Sequence, residues 1–169
     1  MNYRTIPILL AAAVALGAKA SASAELPASI AATGDTAVTT FHAEGAQIYE
    51  CKLSNDGKLA WQFREPVATL LLDGKTVGRH YSGPNWAHID GSTVTAKQIG
   101  NAPGQTQADI PWLKLEVIDH RGTGTFSRVT TVQRINTRGG VVTGACEQAG
   151  SYRSAPYAAD YVFLRNGSD

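Results

Sequence analysis

Apolar and polar residues alternate over short stretches of most of the chain after residue 46. In the segment QIYECKL, Tyr49, Cys51 and Leu53 alternate with charged residues, and LAWQFRE and IPWLKLEVI show the same period of two. Successive side chains of a β-strand point to opposite faces, so this pattern predicts strands with one buried face and one wet face. We find no convincing helical periodicity in this part of the sequence.

Turn sequences separate the predicted strands. Asp-Gly pairs begin at Asp56, Asp73 and Asp90, with a spacing of 17 residues each time. Asp-Gly between apolar runs is a strong hairpin signal, because both central residues of a type I′ turn need positive φ. Since 17 residues accommodate two strands and a return connection, we expect the three turns at the same edge of an antiparallel meander.

The second half of the chain continues the strand pattern. GTFSRVTTVQRINT is rich in Thr and Val and predicts one long strand, with a bulge because its apolar residues change parity between Val129 and Val132. YAADYVFLR predicts the last strand. The total of about nine to eleven strands, without a helix, predicts an all-β fold: a single antiparallel β-sandwich or β-barrel.

The first 24 residues have the organisation of a secretory signal peptide. Arg4 precedes an apolar run, residues 6–17, that is too short to span a bilayer, and residues 22–24 (ASA) form a small-residue cleavage pattern. We therefore predict cleavage near Ala24/Glu25 and a secreted or periplasmic protein; an uncleaved membrane anchor is the alternative. The predicted organisation is a signal peptide (1–24), a poorly structured lead-in (25–40) and a single β-domain (41–169).

The charge of the chain argues against two classes of partner. The full chain has 15 basic and 14 acidic residues. Removal of the signal peptide with Arg4 and Lys19 would leave 13 basic residues against the same 14 acidic ones. The sequence contains no basic stripe, so electrostatics do not support binding to nucleic acid or to an anionic membrane surface. No later stretch has the length and apolarity of a membrane span. We predict neither a nucleic-acid partner nor membrane insertion.

Two cysteines remain, Cys51 and Cys146, near opposite ends of the predicted domain. An even pair without a CxxC motif, in an exported protein, predicts one structural disulfide. A reactive thiol or a metal thiolate has weaker support, because neither cysteine has a histidine or a second cysteine nearby at ligand spacing.

Four segments and the two cysteines carry a resemblance to a known family. GRHYSGPNWAHIDGSTV, IPWLKLEV, VQRINTRGG and APYAADYVFLR, in that order, resemble the DUF3455 family of secreted proteins from Ala43 to Leu164. The resemblance implies an exported domain of unknown function. Some fungal members carry a label of malate dehydrogenase, which this chain does not support because it lacks a GxGxxG turn within a βαβ unit. A weaker resemblance, through the YEC strand and a late cysteine, is to periplasmic lysozyme inhibitors.

The segment GRHYSGPNWAHIDGS is chemically denser than the rest of the chain. Trp86 and His88 share one strand face, and an exposed aromatic ring offers an apolar face with a polar rim that suits stacking on a sugar. We therefore predict a binding platform for a small molecule or carbohydrate. Its residues are His80, Tyr81, Trp86, His88, Asp90 and Trp112. The alternative is that the tryptophans plug the ends of a barrel.

Metal binding and catalysis have weaker support. His80 and His88 are eight residues apart, without an HxH or HxxxH pair, and the turn needs Asp90, so we predict no metal site and no cofactor. His42 and Glu44, at i and i+2, could act as an acid-base pair. The chain nevertheless lacks the GxSxG and HExxH motifs of hydrolases.

The function that we predict is therefore binding rather than catalysis. Two alternatives stay open: an extracytoplasmic enzyme with a His-centred site, and a protein inhibitor or cell-envelope module that acts on a protein partner. A binding platform predicts that Trp86→Ala loses its ligand while the protein stays folded. An enzyme predicts one histidine whose loss abolishes turnover.

Overall fold

Eight antiparallel strands form one sheet that closes into a barrel in the computed structural model, which describes residues 25–167. The strands are β1 (Thr36–Leu53), β2 (Leu59–Leu72), β3 (Lys75–Tyr81), β4 (Asn85–His88), β5 (Thr93–Ala102), β6 (Trp112–Arg121), β7 (Thr131–Gly139) and β8 (Tyr152–Arg165). Each strand pairs with the next along the chain, and β1 pairs with β8 to close the ring. The all-β prediction is confirmed, although the predicted strand count was too high.

The segment GTFSRVTTVQRINT accounts for part of this difference. Only its second half is a strand, because β7 begins at Thr131. Residues 122–130 form a loop with turn hydrogen bonds, and its Phe126 and Val129 are fully buried. The change of parity in the sequence therefore marks the boundary between loop and strand. The bulge lies farther along, between Ile135 and Arg138.

The Asp-Gly turns lie at both ends of the barrel. Asp73 and Gly74 connect β2 to β3 with φ values of 51° and 74°, the positive pair that a type I′ turn requires. Two strands separate this turn from the one at Asp90, so these two share an end as predicted. The prediction was wrong for Asp56, because a single long strand, β2, separates it from Asp73.

We name the two ends of the barrel by their contents. The Phe126 end carries the connections 73–74, 89–92 and 122–130, and the disulfide end carries 54–58, 82–84, 103–111 and 140–151. Inward-facing side chains of the strands form one core cluster inside the barrel. The largest fully buried side chains are Trp86, Tyr161, Phe41, Phe126 and Phe163.

The loop at the Phe126 end is held by one carboxylate. Asp90 accepts hydrogen bonds from the backbone N–H and hydroxyl of Thr125, at 2.7 and 2.8 Å, and of Ser92, at 2.9 and 2.6 Å. Burial raises the pKa of Asp90, but the hydrogen bonds from Ser92 and Thr125 outweigh it and hold the pKa below its usual range. The loop can therefore insert Phe126 into the core, where its ring lies 4.4 Å from that of Phe163.

A disulfide joins Cys51, on β1, to Cys146, in the loop before β8, with the Cα atoms 5.8 Å apart. The predicted pairing is confirmed. Since β1 and β8 form the closing seam, the bond fastens the chain beside the place where the barrel closes. Such a bond is compatible with an oxidising compartment outside the cytoplasm.

The segment before β1 packs on the outside of the barrel. Ile30 is fully buried, and its carbonyl accepts a hydrogen bond of 2.6 Å from Nε2 of Gln133. Lys114 Nζ donates to the carbonyl of Ala31 at 2.9 Å. Residues 25–35 contain turns, and β1 begins at Thr36, within the stretch that the sequence predicted as a lead-in. The predicted signal peptide, residues 1–24, lies outside the described residues.

Within residues 25–167, the structure contains no helix with the length and apolarity needed to cross a membrane.

Candidate functional site

The predicted platform residues lie in three different places. His80 and Trp86 point into the barrel, where they are 3% and 1% exposed. Their rings stack with centroids 4.4 Å apart and an angle of 7°, and the Tyr161 ring packs edge-on against both. His80 and Trp86 are opposite each other in the β3–β4 pairing, so they share one face of the sheet, and that face is the interior.

The second pair lies at the Phe126 end. The ring of His88 stacks on that of Phe41 at 5.5 Å, and its Nδ1 is 2.9 Å from Oδ2 of Asp90. Because Asp90 also holds the 122–130 loop, this pair belongs to the packing that closes the barrel end. The side chains of His88 and Asp90 are partly exposed, but their hydrogen-bonding atoms already contact other protein groups.

Tyr81 and Trp112 occupy the third place, the outer surface. The guanidinium carbon of Arg79 lies 5.0 Å from the centroid of the Tyr81 ring, which is a cation–π contact. Trp112 faces outward with the parity of Lys114, as expected from the sequence. These tyrosine and tryptophan side chains are on β3 and β6, which are not neighbours in the sheet. The six residues therefore do not form one exposed platform, and ligand binding by them stays a prediction.

The buried histidine in the core is uncharged. Burial lowers the pKa of His80, the hydrogen bond to Asn85 opposes this effect and the nearby Arg134 charge adds to it, so that the pKa is about 3. Because a carbonyl can only accept, Nδ1–H of His80 donates to the Asn85 oxygen at 2.9 Å. The other ring nitrogen, Nε2, is then an unprotonated acceptor inside the barrel.

This burial predicts a pH-dependent stability. Below pH about 6.5 the unfolded chain binds a proton at His80 that the native state does not bind, so stability is full above that pH and falls below it. We expect the free energy of unfolding to decrease by about 1.4 kcal/mol per pH unit between pH about 6.5 and 4.5. Urea unfolding at a series of pH values measures this slope. His80→Phe should flatten it, and equal slopes in the variant and the wild type would contradict the assignment.

A polar groove lies on the outer face of the sheet, where β8 runs between β1 and β7. In one row across the strands, His42 of β1 is opposite Asp160 of β8. In the next row, Ala158 of β8 is flanked by Glu44 of β1 and Arg138 of β7. The groove has a volume of about 400 Å³. Its lining residues are His42, Glu44, Gln105, Asn136, Arg138, Ala158 and Asp160.

Hydrogen bonds preorganise the first row. Nδ1 of His42 donates to Oδ1 of Asp160 at 2.9 Å, and Nδ2 of Asn136 donates to Oδ2 of the same carboxylate at 2.8 Å. Asn136 reaches this position because it lies in the β7 bulge with a φ of 52°, in the left-handed region. Bulges and such backbone conformations are frequent where a strand re-aims a side chain at a functional site.

The second row provides opposite charges on the two walls. Glu44 lies 3.7 Å from Nε2 of His42, whereas Arg138 forms no ion pair within 4 Å in the described part of the chain. Ala158 between them is short, so it leaves the floor of the groove low. Beyond it, Gly139 and Pro156 continue the recess with an apolar surface. The groove therefore has a polar end, charged walls and an apolar end.

Among the described residues, no three His, Cys, Asp or Glu side chains come together closely enough to hold a metal ion. The side chains of His42, Glu44 and Asp160 offer hydrogen-bond donors and acceptors to the groove.

Comparison with known proteins bears on the same region. The family described as "Protein of unknown function (DUF3455)" matches residues 31–165. The chain belongs to the DUF3455 family. The match includes all eight strands and every residue of the groove. The sequence resemblance is thereby confirmed. No curated protein and no solved structure matches this DUF3455 chain.

Sequence reasoning found only part of the groove of this DUF3455 domain. His42 and Glu44 were noticed because they share strand parity. Asp160, 118 residues from His42, was missed, and so was Asn136, because closure of the barrel is what brings β8 beside β1. The bulge in β7 leaves no clear local signal for Asn136.

Proposed function

We propose that this DUF3455 protein is an exported binding module that holds a small polar molecule in the outer groove, and that carbohydrate is the best-matched ligand class. The observation that carries the proposal is the convergence of hydrogen-bonding side chains from three strands and one loop on a single recess. Export through cleavage near Ala24/Glu25 is part of the proposal. The disulfide supports it, because such bonds persist in oxidising compartments.

The mixture of donors and acceptors favours hydroxylated ligands. Each sugar hydroxyl both donates and accepts, and the groove offers carboxylate acceptors on Glu44 and Asp160 together with donors on Arg138 and the amide of Gln105. The Gly139–Pro156 surface beside them can receive the apolar face of a sugar ring. A groove lined by charges of a single sign would favour a ligand of the opposite charge instead.

Preorganisation is the second argument. Asp160 is already fixed by His42 and Asn136, so a ligand that contacts these groups pays little for ordering them. Backbone pairing of β1, β8 and β7 holds the three side chains on a rigid support.

The floor of the groove provides the sharpest test. Ala158→Leu fills the recess from an outward-facing position without altering the interior. We expect wild-type protein to bind members of a panel of neutral mono- and disaccharides, measured by isothermal titration calorimetry, and Ala158→Leu to weaken that binding by about tenfold or more. Glu44→Gln, which removes one charged acceptor, should weaken it by a smaller factor.

Ala87→Leu is the matched control, because Ala87 faces outward on β4, away from the groove. It should leave the affinity unchanged. The proposal fails if no saccharide in the panel gives a saturable heat, or if both leucine variants bind equally well.

One geometric detail favours a second candidate, an acid-base enzyme. The hydrogen bond from Nδ1 of His42 to Asp160 leaves Nε2 directed toward the groove, which is how a carboxylate orients a general base. Turnover of a bound saccharide, seen as new products by chromatography and abolished in His42→Gln, would identify an enzyme. Binding without turnover would identify a binding module.

A further inference from the structure

We propose that the barrel interior contains a second site, which binds a small carboxylate or similar monoanion at Arg134 and is entered from the disulfide end. This site is separate from the outer groove. It consists of inward-facing groups on β1, β4, β7 and β8, and nothing in the proposed function depends on it.

Arg134 places a positive charge inside the barrel mouth. It has the same parity on β7 as the core residue Val132, and it is half-buried. Its Nε and Nη2 donate to the carbonyl of Pro111 at 3.1 and 2.9 Å. Arg134 is opposite Tyr161 in the β7–β8 pairing, so the guanidinium lies beside an interior tyrosine. Burial raises the pKa of Tyr161, and the Arg134 charge lowers it.

No acidic side chain in the described residues balances this charge. Arg134 makes no ion pair within residues 25–167, and none of the fully buried polar residues of that range is Asp or Glu. A half-buried cation without a counter-charge is costly. An anion entering the mouth would relieve this cost.

An unpartnered donor lies deeper in the same interior. Nε1 of Trp86 is buried and has no hydrogen-bond partner in the described part of the chain. The buried side-chain amide of Gln47 faces the hydroxyl of Tyr157. The hydroxyls of Tyr157 and Tyr161 lie 3.3 Å from each other, and Tyr161 contacts the Trp86 ring and is opposite Arg134 in the sheet. Unsatisfied buried donors in a native protein call for an explanation such as water or an ion.

Donors and a cation together select an anion, and the size of the barrel selects a small one. An interior formed by eight strands holds little more than its own side chains or one small ligand. The carbonyl of Pro111 occupies the Nε–Nη2 edge of Arg134, which leaves the Nη1–Nη2 edge of the guanidinium. A carboxylate matches such an edge with two parallel hydrogen bonds, which makes it the preferred probe.

The indole N–H of Trp86 provides a direct readout. We would titrate isotopically labelled protein with sodium acetate and with sodium benzoate at constant ionic strength and follow the three assigned indole resonances by NMR. We expect a saturable shift at Trp86. Arg134→Gln should weaken the apparent affinity by about tenfold or more. Arg128→Gln, an exposed arginine in the loop at the opposite end, is the matched control and should behave as wild type.

Two further arms make each outcome decisive. Acetamide, the neutral analogue of acetate, should give no saturable shift, and an equal shift would show a polar rather than an anionic site. If Arg134→Gln does not fold, as judged by circular dichroism, Arg134→Lys takes its place. Lysine keeps the charge without the planar fork, so it should bind more weakly than wild type. Equal affinity in the variant used, or no shift in the wild type, overturns the proposal.

Discussion

Removal of the disulfide is expected to cost about 4 to 5 kcal/mol of stability, because Cys51 and Cys146 close a loop with a sequence separation of 95 in the unfolded chain. The native stability of a domain is commonly about 5 to 15 kcal/mol, so this loss is a large part of the total. Guanidinium unfolding of wild type and of the Cys51→Ala/Cys146→Ala variant measures the difference. Alanine avoids burying a new hydroxyl at the fully buried position 51.

Reduction of the wild-type protein provides an independent control. Wild type in excess dithiothreitol should unfold at the same denaturant concentration as the double variant, since both lack the same constraint on the unfolded chain. A loss below about 1 kcal/mol in both measurements would mean that the barrel seam holds without the bond, contrary to this expectation.

Trp86→Ala is expected to destabilise the protein by about 3 to 5 kcal/mol, the usual cost of removing a buried tryptophan. The side chain is 1% exposed and contacts the rings of His80, Tyr161 and Phe163. The sequence alone predicted that this variant would lose a ligand and stay folded. Because Trp86 is buried, a loss of binding in this variant must be distinguished from a loss of stability. Chemical denaturation at constant pH measures the change in stability.

Tyr81→Ala is the comparison for Trp86→Ala. Tyr81 belongs to the same GRHYSG segment but lies on the outer surface, so its replacement should change stability by about 0.5 kcal/mol or less. Trp86→Phe should fall between the two, because it keeps a ring in the core. A Trp86→Ala protein as stable as Tyr81→Ala would show that the stacked core does not carry the expected energy.

The two proposed ligand sites can be separated experimentally. Ala158→Leu changes only the outer surface, whereas Arg134→Gln changes only the barrel mouth. Saccharide affinity should respond to the first variant and anion affinity to the second. A protein in which both variants alter both affinities would have coupled sites, a result that neither proposal predicts.

Much of the fold could be predicted because its signals are local. Period-two alternation identified the strands around Tyr49 and Leu115, and Asp73-Gly74 forms the turn that its residue types predict. The cysteine pair predicted the disulfide. Residues 124–130 were predicted as strand because the run GTFSRVTTVQRINT is rich in Thr and Val. Only the hydrogen bonds of Asp90 show why a loop buries Phe126 and Val129.

The candidate site could be predicted only in part, because its members are far apart in the chain. Parity placed Trp86 and His88 on one strand face, but it could not show that this face is the interior. His42 and Glu44 were visible as a pair, while their partner Asp160 becomes their neighbour only through the closing seam.

By itself, the sequence determined that this protein is an all-β domain with one disulfide and a DUF3455 resemblance, since strand period, turn chemistry and cysteine number are properties of short segments. Only the tertiary structure decided that the sheet closes into a barrel of eight strands. It also decided which polar side chains meet, because pairing of β1 with β8 joins residues more than a hundred positions apart.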